Sequence, residues 1–471
     1  MIMMTSQRSV SHNLLLLFLC SAHLMGLLDV SIVHIALPSI QQEIPSSAAS
    51  LQWVITAYAL CFGGFLLLGG KIGDRFVRRA TLLCGLALFT LASAIGGLAH
   101  HSFLLIAARA LQGIGAAMIA SNVMAIVTTL FAHGRTRDRA LGMLGAMSAV
   151  GFILGLVLGG LLTAFLSWRW VFFINVPIGI TIILLLYRLL PESKRLRDTI
   201  DIPGSALVTM GLCCFVYALS LIEPYGILSL RTLAWFLLAS FFLLAFTAVQ
   251  RRVQHPLIPL SLFRHPVLIG AGLTTIVFGA LIGPLIYMLS FYLQNVWGFS
   301  PLLTGLAFLP QEITVMIAAS LAGKYVSRIG VKRILLGGML AFGVGIGWLT
   351  QLSLAVSYWR VMLPGIVFIG IGVASVIVAA AIAFTSAAPQ EHQGLASGLW
   401  NTAPQIGTSI GLAVLIPLAD RYSQKADSIT AIAQGYPIAI AASLGFVVIG
   451  LSSIVLFIRK PREMLEVDRI N

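Results

Sequence analysis

"GKIGDRFVRR", residues 70–79, gathers five charged side chains into ten residues of a chain that is only 9% charged. A second stretch, "GKYVSRIGVKR" (323–333), returns Gly70, Lys71 and Arg75 as Gly323, Lys324 and Arg328, 253 positions further on. Both stretches lie between long apolar runs. Two matching basic turns at matching places predict a chain made of two related helical halves.

The 471 residues are 59% hydrophobic, with a mean hydropathy of +1.00. A soluble domain of this length does not bury that much apolar side chain, so the chain reads as an all-α integral membrane protein. Its net charge of +14 is spread over short basic clusters between apolar runs; a nucleic-acid partner would need those clusters on one solvated surface, and none is expected. Cys20, Cys61, Cys84, Cys213 and Cys214 fall inside apolar runs without metal-ligand spacing and read as packing residues. The first apolar run contains Asp29 and lacks a small-residue cleavage signature, so it reads as a retained span.

A helix crossing ~30 Å of hydrocarbon needs about 20 residues. Runs of that size recur at 13–38, 51–71, 80–98, 103–130, 141–166, 170–190, 204–222, 230–249, 267–293, 302–322, 333–352, 358–384, 394–418 and 435–458, fourteen in all. With the N-terminus inside, 23 Lys/Arg fall on inner segments and 5 on outer loops, which predicts that both termini are cytoplasmic. The two basic turns then follow spans 2 and 10. The expected organisation is an N-terminal six-helix bundle (1–198), a two-helix insertion (199–255) and a C-terminal six-helix bundle with a short tail (256–471), an arrangement suited to rocking two halves about a midplane site.

At this point the residues resemble a known family. "GKIGDRFVRR" is similar to the inner-loop signature of the major facilitator superfamily through Gly70, Asp74, Arg75, Arg78 and Arg79, with Val77 where a second glycine is usual. "LDVSIVHIALPSI" (28–40), "ARALQGIGAA" (108–117), "SWRWVFFINVPIG" (167–179), "FYLQNVWGFSPLLTGLAFLP" (291–310) and "GLASGLWNTAPQIGTSIG" (394–411) resemble its fourteen-span drug:proton antiporter branch. "GFILGLVLGG" keeps Gly151, Gly155, Gly159 and Gly160 of the fifth-span antiporter motif but has Leu156 in place of proline; small residues at this spacing let helices approach closely, whereas the kink is in question. In span 13, Pro404 stands where many relatives carry Arg, and no acid falls within 394–418. The resemblance implies multidrug or biocide efflux, with Gly70, Asp74 and Arg75, and Arg79 beside them, forming a cytoplasmic gate.

An ionised group at the bilayer centre costs at least ~2.5 to 3.5 kcal/mol, so a buried acid is a functional candidate by default. Asp29 lies about 16 residues, or ~24 Å, into span 1, in its outer half, and Glu312 lies near the midplane of span 10. Both are expected to couple protons and to pair with a cationic substrate. Arg109 lies at a depth similar to Asp29, so an ion pair between them is the structural alternative, and that pair could itself be the switch. Arg109, Gln112 and Gly113 form one stripe, suited to holding a half together or to touching substrate. His34 lies roughly 140° around the helix from Asp29 and reads as interfacial, as do Trp168, Trp170, Trp297 and Tyr436 at outer boundaries.

Acids contribute little to topology, so Asp74 at the end of span 2 suits a breakable contact that closes the inner side. No phosphate-binding loop is present, so transport is expected to be ion-driven, with protons as the coupling ion and no cofactor. The expected partners are a lipophilic cationic small molecule, protons and the bilayer of the bacterial inner membrane; the protein is expected to be a monomer and not an enzyme, and nothing indicates a periplasmic partner. Export or import of one endogenous metabolite is the principal alternative. A membrane enzyme acting on lipid-linked substrates would call for an acidic or His-rich loop cluster, which the short basic loops lack, and a channel or sensor would not depend on Asp29 and Glu312 for proton-coupled flux.

Overall fold

The computed structural model describes residues 12–44, 48–75, 77–131, 135–190, 201–253, 265–354, 356–387, 393–423 and 428–458. Among them there are helices and no strands, as a chain must be where no water is available to satisfy its backbone polar groups. The N-terminal half comprises α1 (His12–Glu43), α2 (Ala48–Arg75), α3 (Arg78–Gly97), α4 (Ser102–Leu130), α5 (Arg135–Phe165), and a short α6 (Trp170–Phe173) running into α7 (Asn175–Leu189). Between the halves stand α8 (Ile202–Ser220), the single turn α9 (Ile222–Tyr225) and α10 (Leu230–Arg252). The C-terminal half comprises α11 (Pro266–Phe291), α12 (Pro301–Ala307), α13 (Leu309–Ile329), α14 (Val331–Leu349), α15 (Leu363–Ala387), α16 (Gln393–Ser423) and α17 (Ser428–Phe457).

Among the described residues twelve helices or helix pairs are long and apolar enough to cross a membrane; two shorter apolar stretches, Ser50–Leu66 and Val150–Phe165, lie inside α2 and α5. Leu91, Leu184, Leu237, Leu321 and Leu456 point outward, which lipid tolerates and water does not. The two basic turns are tight corners built differently. Val77 joins α2 to α3 in an extended conformation (φ −163°, ψ 120°), whereas its counterpart Gly330 joins α13 to α14 at φ 89°, a conformation open to glycine and strained for valine.

The halves repeat a packing pattern. In the first, α1 packs on α5 and α4 on both α2 and α3; in the second, α11 packs on α16 and α15 on both α13 and α14. Glycines make the long parallel contacts close: a Cβ added at Gly155 would stand 2.6 Å from the Leu28 carbonyl oxygen, and one at Gly407 1.9 Å from that of Ile276. The largest apolar core joins the halves, and the N-terminal half enters it only from its predicted outer end, through residues such as Ile35, Leu51, Leu156 and Phe172. Its inner end forms a separate core around Leu19, Leu86, Val123 and Leu186. At the end that enters the shared core Gln294 also donates from Nε2 to the Ile35 carbonyl (2.9 Å), and the backbone of α12 meets that of α5, where Gly305 lies against the Leu156 carbonyl and Gly160 against that of Pro301. The two halves are closed on each other at that face.

The inserted pair lies along the α2–α16 seam. Leu60, Val216 and Ala413 form a small core there, and Thr209 fills the space beside Gly64. Asp201 caps α8 by accepting from the Gly204 amide (2.8 Å) and also accepts from Gln250 of α10, which fixes the pair to each other. α5 runs as one helix through Leu156, in keeping with the missing motif proline. Four sequence expectations change here. α16 continues past position 418 to Ser423, so Asp420 is an acid within that helix, missed because the Asp-Arg pair reads as a loop. His34 is buried, with its Nδ1 unpartnered among the described residues, and is not interfacial. Trp168 and Tyr436 are likewise buried and face protein, because the neighbouring helices cover the span ends; Trp170 alone of the four aromatics is exposed.

Candidate functional site

Asp29 of α1 is fully buried and ion-pairs with Arg109 of α4, also buried. Its Oδ1 accepts from Gln112 Nε2 (3.1 Å) and from Asn175 Nδ2 (2.9 Å). Arg109 donates from Nε to the Val54 carbonyl of α2 (3.0 Å) and from Nη1 to Gln112 Oε1 (2.9 Å), and Gln112 Nε2 reaches Ser93 Oγ of α3 (2.8 Å). The guanidinium carbon lies 4.3 Å from the centroid of the Tyr58 ring. Five helices of one half thus join one hydrogen-bonded network around that carboxylate. A buried pair survives in oil only when its remaining donors and acceptors are satisfied, and removing one partner of such a pair costs about 3–5 kcal/mol.

The expected grouping of Asp29, Arg109 and Gln112 is therefore present, and Gly113 shows how α4 gets close enough: a Cβ there would stand 2.5 Å from the Tyr58 carbonyl. Asn175 was not singled out from the sequence, although an asparagine opening an apolar helix just ahead of Pro177 is a usable signal. Glu312 belongs elsewhere. It lies buried in the first turn of α13, and its described partner is Gln311, whose Nε2 donates to Oε1 (3.1 Å). Among the described residues it shares no hydrogen bond or ion pair with the Asp29 cluster and has no basic partner.

The remaining candidates are distributed as follows. Gly70 lies on α2 near Ser121; Asp74 and Arg75 end that helix, and their side chains, with that of Lys71, fall outside the described residues. Arg79 donates to the Tyr187 carbonyl and stands over the Tyr187 ring, inside its own half. Gly151, Gly155 and Gly159 face α1 at Leu24, Leu28 and Ile32, whereas Gly160 faces α12. Among the described residues no three His, Cys, Asp or Glu are placed to hold a metal ion.

A cavity of about 40 Å³ lies between the halves, lined by His23, Gly26 and Val30 of α1, Tyr58 and Phe62 of α2, Ala116 of α4 and Gln405 of α16. It has room for about three waters. The sequence pattern of the Major Facilitator Superfamily matches residues 19–412. The chain belongs to that superfamily. It is 37% identical over 449 residues to the puromycin resistance protein of Streptomyces alboniger, covering 91% of this chain and 88% of that protein. It is 38% identical over 420 residues to the cephamycin export protein of Amycolatopsis lactamdurans, covering 88% and 86%. Among solved structures, the POT family transporter PepTSo superposes with a TM-score of 0.69 at 16% identity over 95% of this chain and 97% of that one. A D-xylose–proton symporter superposes at 0.65 and 17% identity over 95% and 97%; both show the fold alone. The superfamily member described here is a multi-pass bacterial membrane transporter and not an enzyme.

Proposed function

We propose that the transporter is a proton-coupled antiporter that exports lipophilic, cationic drugs or biocides across the inner membrane by alternating access. The observation that carries this reading is the cavity between the halves, separated by one tyrosine from a sealed carboxylate–guanidinium pair. An acid held in oil beside a solute pathway is a natural place to trade a proton against cargo. Arg109 neutralises Asp29, so the remaining interior charge of Glu312 favours a cation. Relatives named for resistance to and export of antibiotics support efflux over uptake.

In this reading the chain makes fourteen crossings with both ends cytoplasmic, α2 and α5 supplying the two beyond the twelve longer apolar stretches. The bundles are 1–198 and 256–471, flanking the insertion 199–255, and the unit is a monomer. Gly70, Asp74, Arg75 and Arg79 form the inner gate, and Gly151, Gly155, Gly159 and Gly160 hold α5 against α1 and α12. Everted vesicles supply the test: an inward-acid gradient should drive ethidium uptake, a protonophore should abolish it, and Asp29→Asn and Glu312→Gln should each reduce it at least about tenfold in folded protein. Gradient-independent uptake would overturn the coupling. A narrower reading, export of one compound, is favoured by relatives named for single antibiotics; uptake of several unrelated cations in the same assay would exclude it.

A further inference from the structure

Neither Asp29 nor Arg109 lines the cavity between the halves, yet Tyr58 belongs to both places. It lines the cavity beside Phe62, whose ring lies 6.0 Å away and nearly parallel, and the Arg109 guanidinium rests 4.3 Å from its centroid. Its hydroxyl donates to the Gly26 carbonyl (3.2 Å), one turn of α1 before Asp29. Arg109 is held to the same helix at Val54, one turn before Tyr58. The ring is thus fixed at its tip to the helix that carries the carboxylate and at its face to the cation that neutralises it.

We propose that Tyr58 is the positioning residue through which cargo in the cavity acts on the Asp29–Arg109 pair; this rests on the antiport reading above. A cavity with room for about three waters cannot admit a drug-sized cation without displacing its lining, and Phe62 and Tyr58 are the aromatic part of that lining. An organic cation is drawn to an aromatic ring, and a second positive charge at a ring already used by Arg109 opposes the first. In the structure Arg109 contacts the ring and the Asp29 carboxylate together, which is the ionised state of the pair. Protonation of Asp29 forms its O–H bond and gives up the Arg109 Nη1–H contact, leaving the guanidinium on the ring and at Val54, where it opposes cargo. Cargo that reaches the ring displaces Arg109 back onto Asp29: the O–H bond breaks, its proton passes to water, and the carboxylate again accepts the Nη1–H. The ionisable groups around this step are Asp29, His23 and the buried His34 on α1, Tyr58 itself on α2 and Arg109 on α4; Gln405 is the contribution of α16.

The test uses the full chain in detergent, with tetraphenylphosphonium as probe and a pH-indicating dye to count protons released on binding. The native protein should release protons as the cation binds. Tyr58→Phe, which keeps the ring, should retain at least half of that release, whereas Tyr58→Leu should bind the cation within about tenfold of native affinity and release at least tenfold fewer protons. If the leucine variant does not fold, Tyr58→Met, unbranched and without a π face, takes its place with the same expectation. Native-like proton release in the variant lacking the ring would overturn the role of Tyr58 and leave antiport standing. Absence of release in the native protein would overturn the antiport reading, and this inference with it.

Discussion

The two halves share a helical plan and differ in what they bury. The first encloses Asp29 with Arg109, Gln112 and Asn175 drawn from two other helices, and the second gives Glu312 the adjacent Gln311. In the first half the carboxylate is a structural keystone as well as a candidate switch, since its partners would be stranded without it. In the second it is a nearly free group in the first turn of α13. One fold can therefore carry a tightly supported acid and a loosely supported one, and the two should respond differently to substitution.

The largest expected effect is from Arg109→Leu, which leaves Asp29 without its counter-charge and should destabilise the solubilised protein by about 3–5 kcal/mol in thermal or denaturant unfolding. Glu312→Gln keeps shape and a hydrogen bond and should stay within about 1 kcal/mol of the native protein. Equal losses would break the comparison between halves. Next, Asn175→Ala removes a donor from a buried carboxylate and should cost about 1.5–3 kcal/mol, against less than half of that for Gln311→Ala, whose acceptor is less enclosed. Gly155→Val and Gly407→Val probe where the halves are alike instead: both force a side chain into a facing backbone and should each cost about 1–3 kcal/mol, and a marked disparity would mean that the two glycine seams are not equivalent. The smallest effect is expected from Gln294→Ala at the end where the halves are closed on each other. Losing that bond is worth about 0.5–1.5 kcal/mol, so maleimide labelling at Ser290→Cys in a cysteine-free background should rise roughly two- to tenfold.

Much of this plan was legible before any coordinates. A 3.6-residue repeat with a fixed rise turns residue counts into depths, so Asp29 and Arg109 could be put at one level from the sequence. The corner at Val77 was flagged as a departure, but its consequence was not: the same turn is made at Gly330 by a backbone conformation valine does not reach. Tyr436 reads as interfacial from its position at a span end, yet it is buried, on a helix packed against α11 and α16.

Composition, apolar run lengths and basic turns by themselves determined a membrane-embedded, all-helical chain of two related halves and the depth of its buried charges. Only the tertiary structure decided that Asn175 completes the Asp29 shell, that Glu312 stands apart from it, and that Tyr58 separates the pair from the cavity. The reason is geometric: depth follows from rise along one helix, whereas partnership depends on how each helix is rotated and which neighbour it meets, and those are set by packing between segments far apart in the chain.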